Sequence, residues 1–487
     1  MLKRVRIILT VLLLLATVGV DAQVTTASMA GKVTDASNEP IIGATVQAVH
    51  QPSGSRYGTV TNVDGRYSIQ GMRTGGPYRV EISYIGYQTV IYKDITLQLG
   101  EVYNLNVEMS ESSELLNEVI VTAAKTKFTA EKTGATTNIS SAQITQLPTV
   151  NRSISDIARL SPYANGMSFA GGDGRSTNFT IDGANFNNNF GLSSNLPGGG
   201  NPISMDAIEE VQVVVAPFDV RQTNFIGGGI NAITKSGTNT FRGTAYTYYR
   251  NQDMRGNRIN GEDLGARSDE SKTTYGFTLG GPIIKNKLFF FVNYEKEKTP
   301  GEVIKYRARE DGEDAKGMVS RTLKSDMEKV YNHLKDKYGY DAGSYTNFPA
   351  DEENTKLLAR IDWNITDRHR LSLRYNNTKN TAWNAPNGNS SDTGYRLNNT
   401  YRVGTQSMAF ANSMYSMDNK VQSWAADLNS RFTDKISNQL LFTYTNIEDM
   451  RGTNSSPFPF IDIMAGKDEN GNQILEPVSY THLRAHE

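Results

Sequence analysis

From Thr240 onward, apolar and polar residues alternate with a period of two, which predicts strands and not helices. The alternating runs fall at roughly 241–250, 271–281, 286–297, 355–365, 369–379, 420–433 and 436–448. Each reaches the about 9–11 residues, or slightly more, that a tilted strand needs to cross a bilayer. Alternation is shared with soluble sandwiches, so three further features decide the setting. One face of each clear strand is free of charge: Tyr275, Phe277 and Leu279; Leu357, Ala359, Ile361 and Trp363; Trp424, Ala426, Leu428 and Phe432. The opposite faces carry Arg360 and Asp362, Arg370 and Arg374, Asp427 and Arg431. A charge facing lipid at mid-bilayer costs about 2–4 kcal/mol, while one facing a wet lumen costs little. Tyr275, Tyr294, Trp363, Tyr375, Trp424, Phe432 and Tyr444 lie at or near the ends of the apolar stripes, where amphipathic rings form girdles at headgroup level. The connections also alternate. Segments near 251–270, 298–354, 380–419 and from 449 onward are long and polar, whereas Pro282–Lys285, Thr366–Arg368 and Thr433–Lys435 are tight. Membrane barrels are built with this parity of loops.

Upstream the pattern changes several times. Lys3, Arg4 and Arg6 precede the apolar run Ile7–Val18, and Val20-Asp21-Ala22 precedes Gln23. This describes a secretory signal peptide over 1–22. The run is too short for the roughly 20 apolar residues of a membrane helix. Residues 24–109 read as a small β-sandwich, with strand runs at Gly31–Thr34, Gly43–His50, Arg66–Gln70, Tyr78–Tyr84, Thr89–Leu97 and Val102–Met109. Turn formers separate them, and Asp64-Gly65 carries a hairpin signal. Residues 110–124 form a linker. Within it Glu118, Val119, Ile120, Val121, Thr122 and Ala123 make a short, β-branched strand former between polar flanks. Standing alone, such a segment has unpaired backbone groups and is a candidate for recognition by strand addition. An ordinary linker, or the edge strand of a neighbouring sheet, is the alternative.

Residues 125–240 mix short elements with Gly- and Asn-rich loops. Ser140–Leu147 and Ser153–Leu160 predict helices with serine caps, and Phe179–Ile181, Val211–Ala216 and Ile230–Thr234 predict strands. The glycine loops lack the Gly-Lys-Ser/Thr of a phosphate loop. They read as turns of a compact plug. The barrel portion spans 241–477, and 478–487 drops the alternation and reads as foreign sequence. Seven strands are too few to enclose a plug, since plugged lumens belong to barrels of around 22 strands. The expectation is therefore a C-terminally truncated barrel.

Composition narrows the chemistry. The 487 residues carry a formal net charge of −1, no cysteine and five histidines. That balance gives no reason to expect nucleic acid as a partner. Without cysteine there is no disulfide, thiolate metal site or cysteine nucleophile. His50, His333 and His369 show no metal-ligand spacing, and Asp468–Glu476 fails as a Ca²⁺ loop because Gln473 stands where glycine is required. No catalytic constellation, metal site or cofactor is expected, and the chain does not read as an enzyme.

Particular strings carry a family resemblance. "GKVTDASNEPIIGATV" and "GTVTNVDGRYSI" resemble the carboxypeptidase-regulatory-like extension, a transthyretin-like sandwich also grouped with carbohydrate-binding-like folds. "LNEVIVTA" resembles the TonB box region. "TNFTIDGANFNNNFG", "AIEEVQVVVAPFDVRQTNFIGGGINAITKSGTNTFRGTAYTYYRN" and "GGPIIKNKLFFFVNYE" resemble the plug and first strands of Oar-like TonB-dependent receptors of Bacteroidetes. The resemblance covers nearly all of residues 1–450. It implies a mainly β protein: a sandwich, an α+β plug and the first strands of a large antiparallel transmembrane barrel, set in outer-membrane lipid with the N-terminal domain in the periplasm. It also implies partnership with TonB and its inner-membrane energising complex through Glu118–Ala123. The plug strings depart from those of starch-utilisation-type glycan importers, so a surface lipoprotein partner is not implied. The sandwich's fold-level label supplies no sugar site. The function expected is energised uptake of a ligand whose identity the sequence leaves open. A surface or adhesion protein anchored by the barrel is the alternative, and a passive porin is opposed by the plug.

Overall fold

The computed structural model describes residues 24–111, 119–122, 135–147, 149, 151–188, 196–215, 219, 222, 224–254, 256, 258–263, 271–300, 306–346, 348, 350–385, 403–404, 407–434 and 436–459. It also describes the short strands 461–462, 466–467, 473–474 and 478–480. The expected signal peptide and most of the terminal tail lie outside these residues.

The N-terminal domain is a two-sheet sandwich. Its strands are β1 (Ala27–Asp35), β2 (Thr45–His50), β3 (Ser55–Val60), β4 (Arg66–Met72), β5 (Gly75–Ser83), β6 (Val90–Leu97), β7 (Val102–Asn104) and β8 (Val107–Met109). Strand β1 lies between β4 and β7 and also pairs with β8, and the other sheet runs β3-β2-β5-β6. Alternate residues point inward, so Met29, Val33, Val46, Ala48, Tyr78, Val80, Ile82, Val90 and Met109 close one buried core. Asp64-Gly65 does form a turn, with Gly65 at φ +71°. It does not close a hairpin, because β3 pairs with β2 while β4 crosses to β1.

A further strand, β9 (Val119–Thr122), lies on the edge of the second sheet, parallel to β6. The plug follows with β10 (Ala135–Ser140), β11 (Ala164–Asn165), β12 (Ser168–Phe169), β13 (Asn178–Ile181), β14 (Ala184–Asn185), β15 (Ile208–Val215) and β16 (Gly228–Thr234). Its main sheet has the order β10-β15-β16-β13-β14. Helices occupy Ser141–Gln146 and Ile154–Ala158, where sequence predicted them. At the second, Ser153 Oγ accepts from the Asp156 N–H at 3.4 Å. The plug core of Ile154, Ile157, Phe179, Ile181, Phe186, Val211, Val213 and Ile230 merges with Phe291, Leu358 and Val421 of the strands beyond.

Those strands are β17 (Arg242–Asn251), β18 (Arg258–Ile259), β19 (Glu262–Asp263), β20 (Ser271–Ile284), β21 (Leu288–Thr299), β22 (Arg307–Arg309), β23 (Val319–Leu323), β24 (Glu352–Asn364), β25 (His369–Asn384), β26 (Met408–Ala409), β27 (Tyr415–Arg431) and β28 (Ser437–Gly452). Seven of them form an antiparallel wall, β17-β20-β21-β24-β25-β27-β28. All seven runs read from alternation are present, six of them extended at their long-loop ends and β20 at its short-turn end. Even-numbered residues of β24 face inward and are mostly buried, while Ile361 and Trp363 face out and are exposed. On the outer face Ala359, Tyr375, Trp424 and Tyr444 fall in one register row, with ring centroids 5.2 and 5.6 Å apart. The next row toward the long loops is Leu357, Asn377, Gln422 and Asn446. The aromatics thus mark the border of the apolar band, as amphipathic rings do at a membrane surface. The sheet does not close on itself, and among the described residues β17 and β28 each have one open edge. No described helix is long and apolar enough to cross a membrane.

The long-loop side carries a folded layer that the sequence reading took for loop. Helix Lys324–Tyr338 ends at Gly339 in the left-handed region. Met327 and Leu334 bury one face of it against Tyr340, Phe348, Phe410 and Met414.

Candidate coupling site

The short turns of the wall face the N-terminal domain, and the wall's concave face holds the plug. All three meet at one group of charges. Strands β13 and β14 are joined by Asp182-Gly183, with φ of +45° and +77°. A two-residue turn with both central residues at positive φ is type I′, which Asp-Gly favours. It presents the Asp182 carboxylate, which accepts from the Thr234 N–H at 3.0 Å and the Thr234 hydroxyl at 2.7 Å. Arg360 Nη1 of β24 lies 3.4 Å from Asp182 and donates to the Thr234 carbonyl at 2.9 Å. Arg374 Nε of β25 lies 3.2 Å from the other carboxylate oxygen.

Two residues along β24, and therefore on the same face, Asp362 pairs with Arg360 at 3.0 Å. The Asp362 side chain has no solvent exposure and accepts from the Ser372 hydroxyl at 2.7 Å. Arg73 of the N-terminal domain reaches the same carboxylate at 3.4 Å. Plug, wall and sandwich thus share one network of Arg73, Asp362, Arg360, Asp182 and Arg374. A cavity of about 410 Å³ opens beside it, lined in part by Tyr57, Glu209, Lys235, Arg242, Arg370 and Asp427.

Other polar contacts hold the plug at its far side. Glu295 of β21 accepts from Ser204 of the plug at 2.8 Å and from Tyr246 at 2.9 Å, and is neutralised by buried Lys356 at 2.9 Å. Asn354 donates to the Gly198 carbonyl at 3.1 Å, and Thr378 to the Pro202 carbonyl at 2.7 Å. The plug–wall interface is thus stitched largely by hydrogen bonds and ion pairs.

The N-terminal domain is fixed to both neighbours. Arg370 lies over the Tyr57 ring at 3.7 Å, and Asn364 donates to Ser55 at 3.0 Å. Just past β6, the Leu99 N–H donates to Glu210 of β15 at 3.0 Å, and the Leu99 carbonyl accepts from Asn138 of β10 at 3.3 Å. Beneath these contacts His50 is buried, with its Nδ1 2.7 Å from the Ser53 hydroxyl. Burial, helped by nearby Arg73, lowers its pKa to about 3.

Of the site residues read from sequence, Val119–Thr122 form β9, and Glu118 and Ala123 lie outside the described residues. The segment does not stand alone. It is the edge strand of the N-terminal domain, with Val90 opposite Val119 and Lys93 opposite Thr122. Sequence reasoning placed Arg360, Asp362 and Arg374 on the inner face without finding Asp182 or Arg73. The Asp-Gly dipeptide at 182–183 was the available signal for the first.

Residues 28–110 match the carboxypeptidase regulatory-like domain family, and residues 233–303 match an outer membrane beta barrel domain family. A curated relative, the TonB-dependent transporter Oar of Myxococcus xanthus, is 25% identical over 376 residues. The match covers 72% of this chain but 33% of its relative, so the chain spans about a third of that protein's length. Among solved structures it is similar to the outer membrane transporter YddB of Escherichia coli, at 15% identity and a TM-score of 0.45, covering 71% of this chain and 43% of that one. It is also similar to the siderophore receptor PirA of Pseudomonas aeruginosa, at 15% identity and a TM-score of 0.41, covering 66% and 42%. The protein is an outer-membrane protein with its N-terminal domain in the periplasm, which assigns the short turns to the periplasmic side and the long loops to the exterior.

Proposed function

We propose that this receptor imports a ligand across the outer membrane, energised by TonB, and that Glu118–Ala123 is the segment TonB takes. The observation that carries the reading is the plug, seated by polar contacts within a membrane-spanning wall and connected by a short segment to a strand former at the periplasmic face. The relative's name supports the dependence on TonB. Ligand binding outside would loosen the plug, and a pull on the segment would displace it. Iron chelates, glycans, peptides and vitamins all remain compatible as ligand. We place the chain in the Oar-like subgroup and in Bacteroidetes on the plug–barrel junction string, and assign it no catalytic role. Proline at Val121 removes a main-chain donor and disfavours strand pairing without touching plug or wall. In the full-length receptor, Val121→Pro abolishes energised uptake while surface ligand binding stays near wild type. Uptake that persists in parallel assays on the same cells reduces the segment to a linker.

The ordered outer layer around helix Lys324–Tyr338 favours one other reading, a surface-binding protein anchored by its barrel. Ligand that binds but never enters energised cells would select it.

A further inference from the structure

Strand β9 occupies an edge of another domain, and the way it does so has mechanical consequences. Its four residues run parallel to Val90–Lys93 of β6 in unbroken register. The regular run of β6 stops there, because Asp94 sits at φ +62° and the pairing of β5 with β6 shifts register between Tyr78 and Val80. A bulge of this kind bends its strand and terminates pairing. The contact is therefore confined to a short parallel ladder at a sheet edge, which is among the weakest forms of strand pairing. Beyond Lys93, β6 continues to Leu97, and Leu99 is held by Glu210 and Asn138 of the plug. The domain that carries β9 is thus fastened to plug and wall, while among the described residues β9 itself pairs only with β6.

From this we infer that the Val90–Lys93 edge of the N-terminal domain is a resting dock for the coupling strand, and that TonB and β6 compete for it. The inference rests on the reading of β9 as the segment TonB takes. While β9 stays on β6, a pull on it is taken by the N-terminal domain, which is anchored to the wall through Arg73, Ser55 and Tyr57. The pull reaches β10 of the plug through residues 123–134 only once β9 has left. Strand exchange makes this step inexpensive, because main-chain hydrogen bonds to β6 are replaced by equivalent bonds to the partner's sheet edge. The dock also covers the β6 edge, which left open would invite pairing with other chains.

A reversible cross-link tests the dock. The chain has no native cysteine, Lys93 is exposed, and Lys93 lies directly opposite Thr122. Strand neighbours about 4.8 Å apart fall in the range a disulfide spans. In the full-length receptor carrying Lys93→Cys and Thr122→Cys, oxidation forms the bond, and affinity for the purified periplasmic domain of TonB falls at least about tenfold. Reduction of the same sample restores it, which controls for folding. In the unmodified receptor, TonB binding speeds amide hydrogen exchange at Val90–Lys93. A disulfide that does not form, equal affinity in both redox states, or unchanged exchange at Val90–Lys93 overturns the dock. Val121→Pro separates the underlying reading: undiminished TonB binding by that variant removes the segment's role altogether, whereas lost binding together with redox-insensitive affinity removes only the competition.

Discussion

Asp182 of the plug and Arg360 of the wall are 3.4 Å apart, 178 positions apart in the chain, and both also hold Thr234. Breaking a buried ion pair from one side leaves an uncompensated charge and costs about 3–5 kcal/mol. Asparagine tolerates the left-handed conformation that Asp182 adopts, so Asp182→Asn isolates the charge. The expected outcome is faster amide exchange throughout β13, β14 and β16 with the wall strands unchanged. Unaltered exchange in the plug shows that the network does not seat it.

His50 makes the periplasmic domain sensitive to acid. In an unfolded chain its pKa is near 6.5, but in the native domain it is about 3. Between those values the unfolded state binds more protons, so stability falls as pH drops through that window. The expected loss is roughly 2–3 kcal/mol between pH 7.5 and pH 4.5. Hydrogen exchange of residues 24–109 in the intact receptor measures it. His50→Asn, which cannot titrate, flattens the slope whatever it does to the absolute stability.

The wall was the most legible part of the chain, because a period-two pattern with one charge-free face records both secondary structure and environment. Arg360 and Asp362 could be placed on the inner face from spacing alone. Their partners could not, since Asp182 and Arg73 come from other domains and no local pattern encodes such a meeting. Strand β3 was missed because Gly58 and Arg56 interrupt its short run, and the Asp64-Gly65 turn was misread because a turn dipeptide does not say which sheet the next strand joins. Helix Lys324–Tyr338 was overlooked although Met327, Val330, Tyr331 and Leu334 follow helical spacing. Its charged flanks resembled those of an external loop. For β9, composition gave the strand but nothing in it named β6 as neighbour.

The external layer has its own core, so it is expected to be lost without losing the wall. Leu334→Ala removes a buried side chain from helix Lys324–Tyr338, at about 2–5 kcal/mol. Protease added to intact cells then cuts within residues 306–346 while the wall strands stay protected. Equal resistance in variant and wild type contradicts an independent core.

The outer face of the wall is predicted to contact lipid. Leu373 lies in the outward row with Ile361, Ala426 and Phe442, so Leu373→Arg costs about 2–4 kcal/mol at mid-bilayer. The measurement is the amount of folded full-length receptor in outer-membrane fractions. A normal yield argues that this face is buried in protein or meets water.

The central claim is that β9 is the segment through which TonB acts, and contact in living cells tests it most directly. A photoactivatable residue replaces Val121 in the full-length receptor, and energised cells are irradiated. A covalent adduct between the receptor and TonB, lost when the proton gradient is collapsed, is the predicted result. Adducts that form only within the receptor itself, with or without the gradient, contradict the claim.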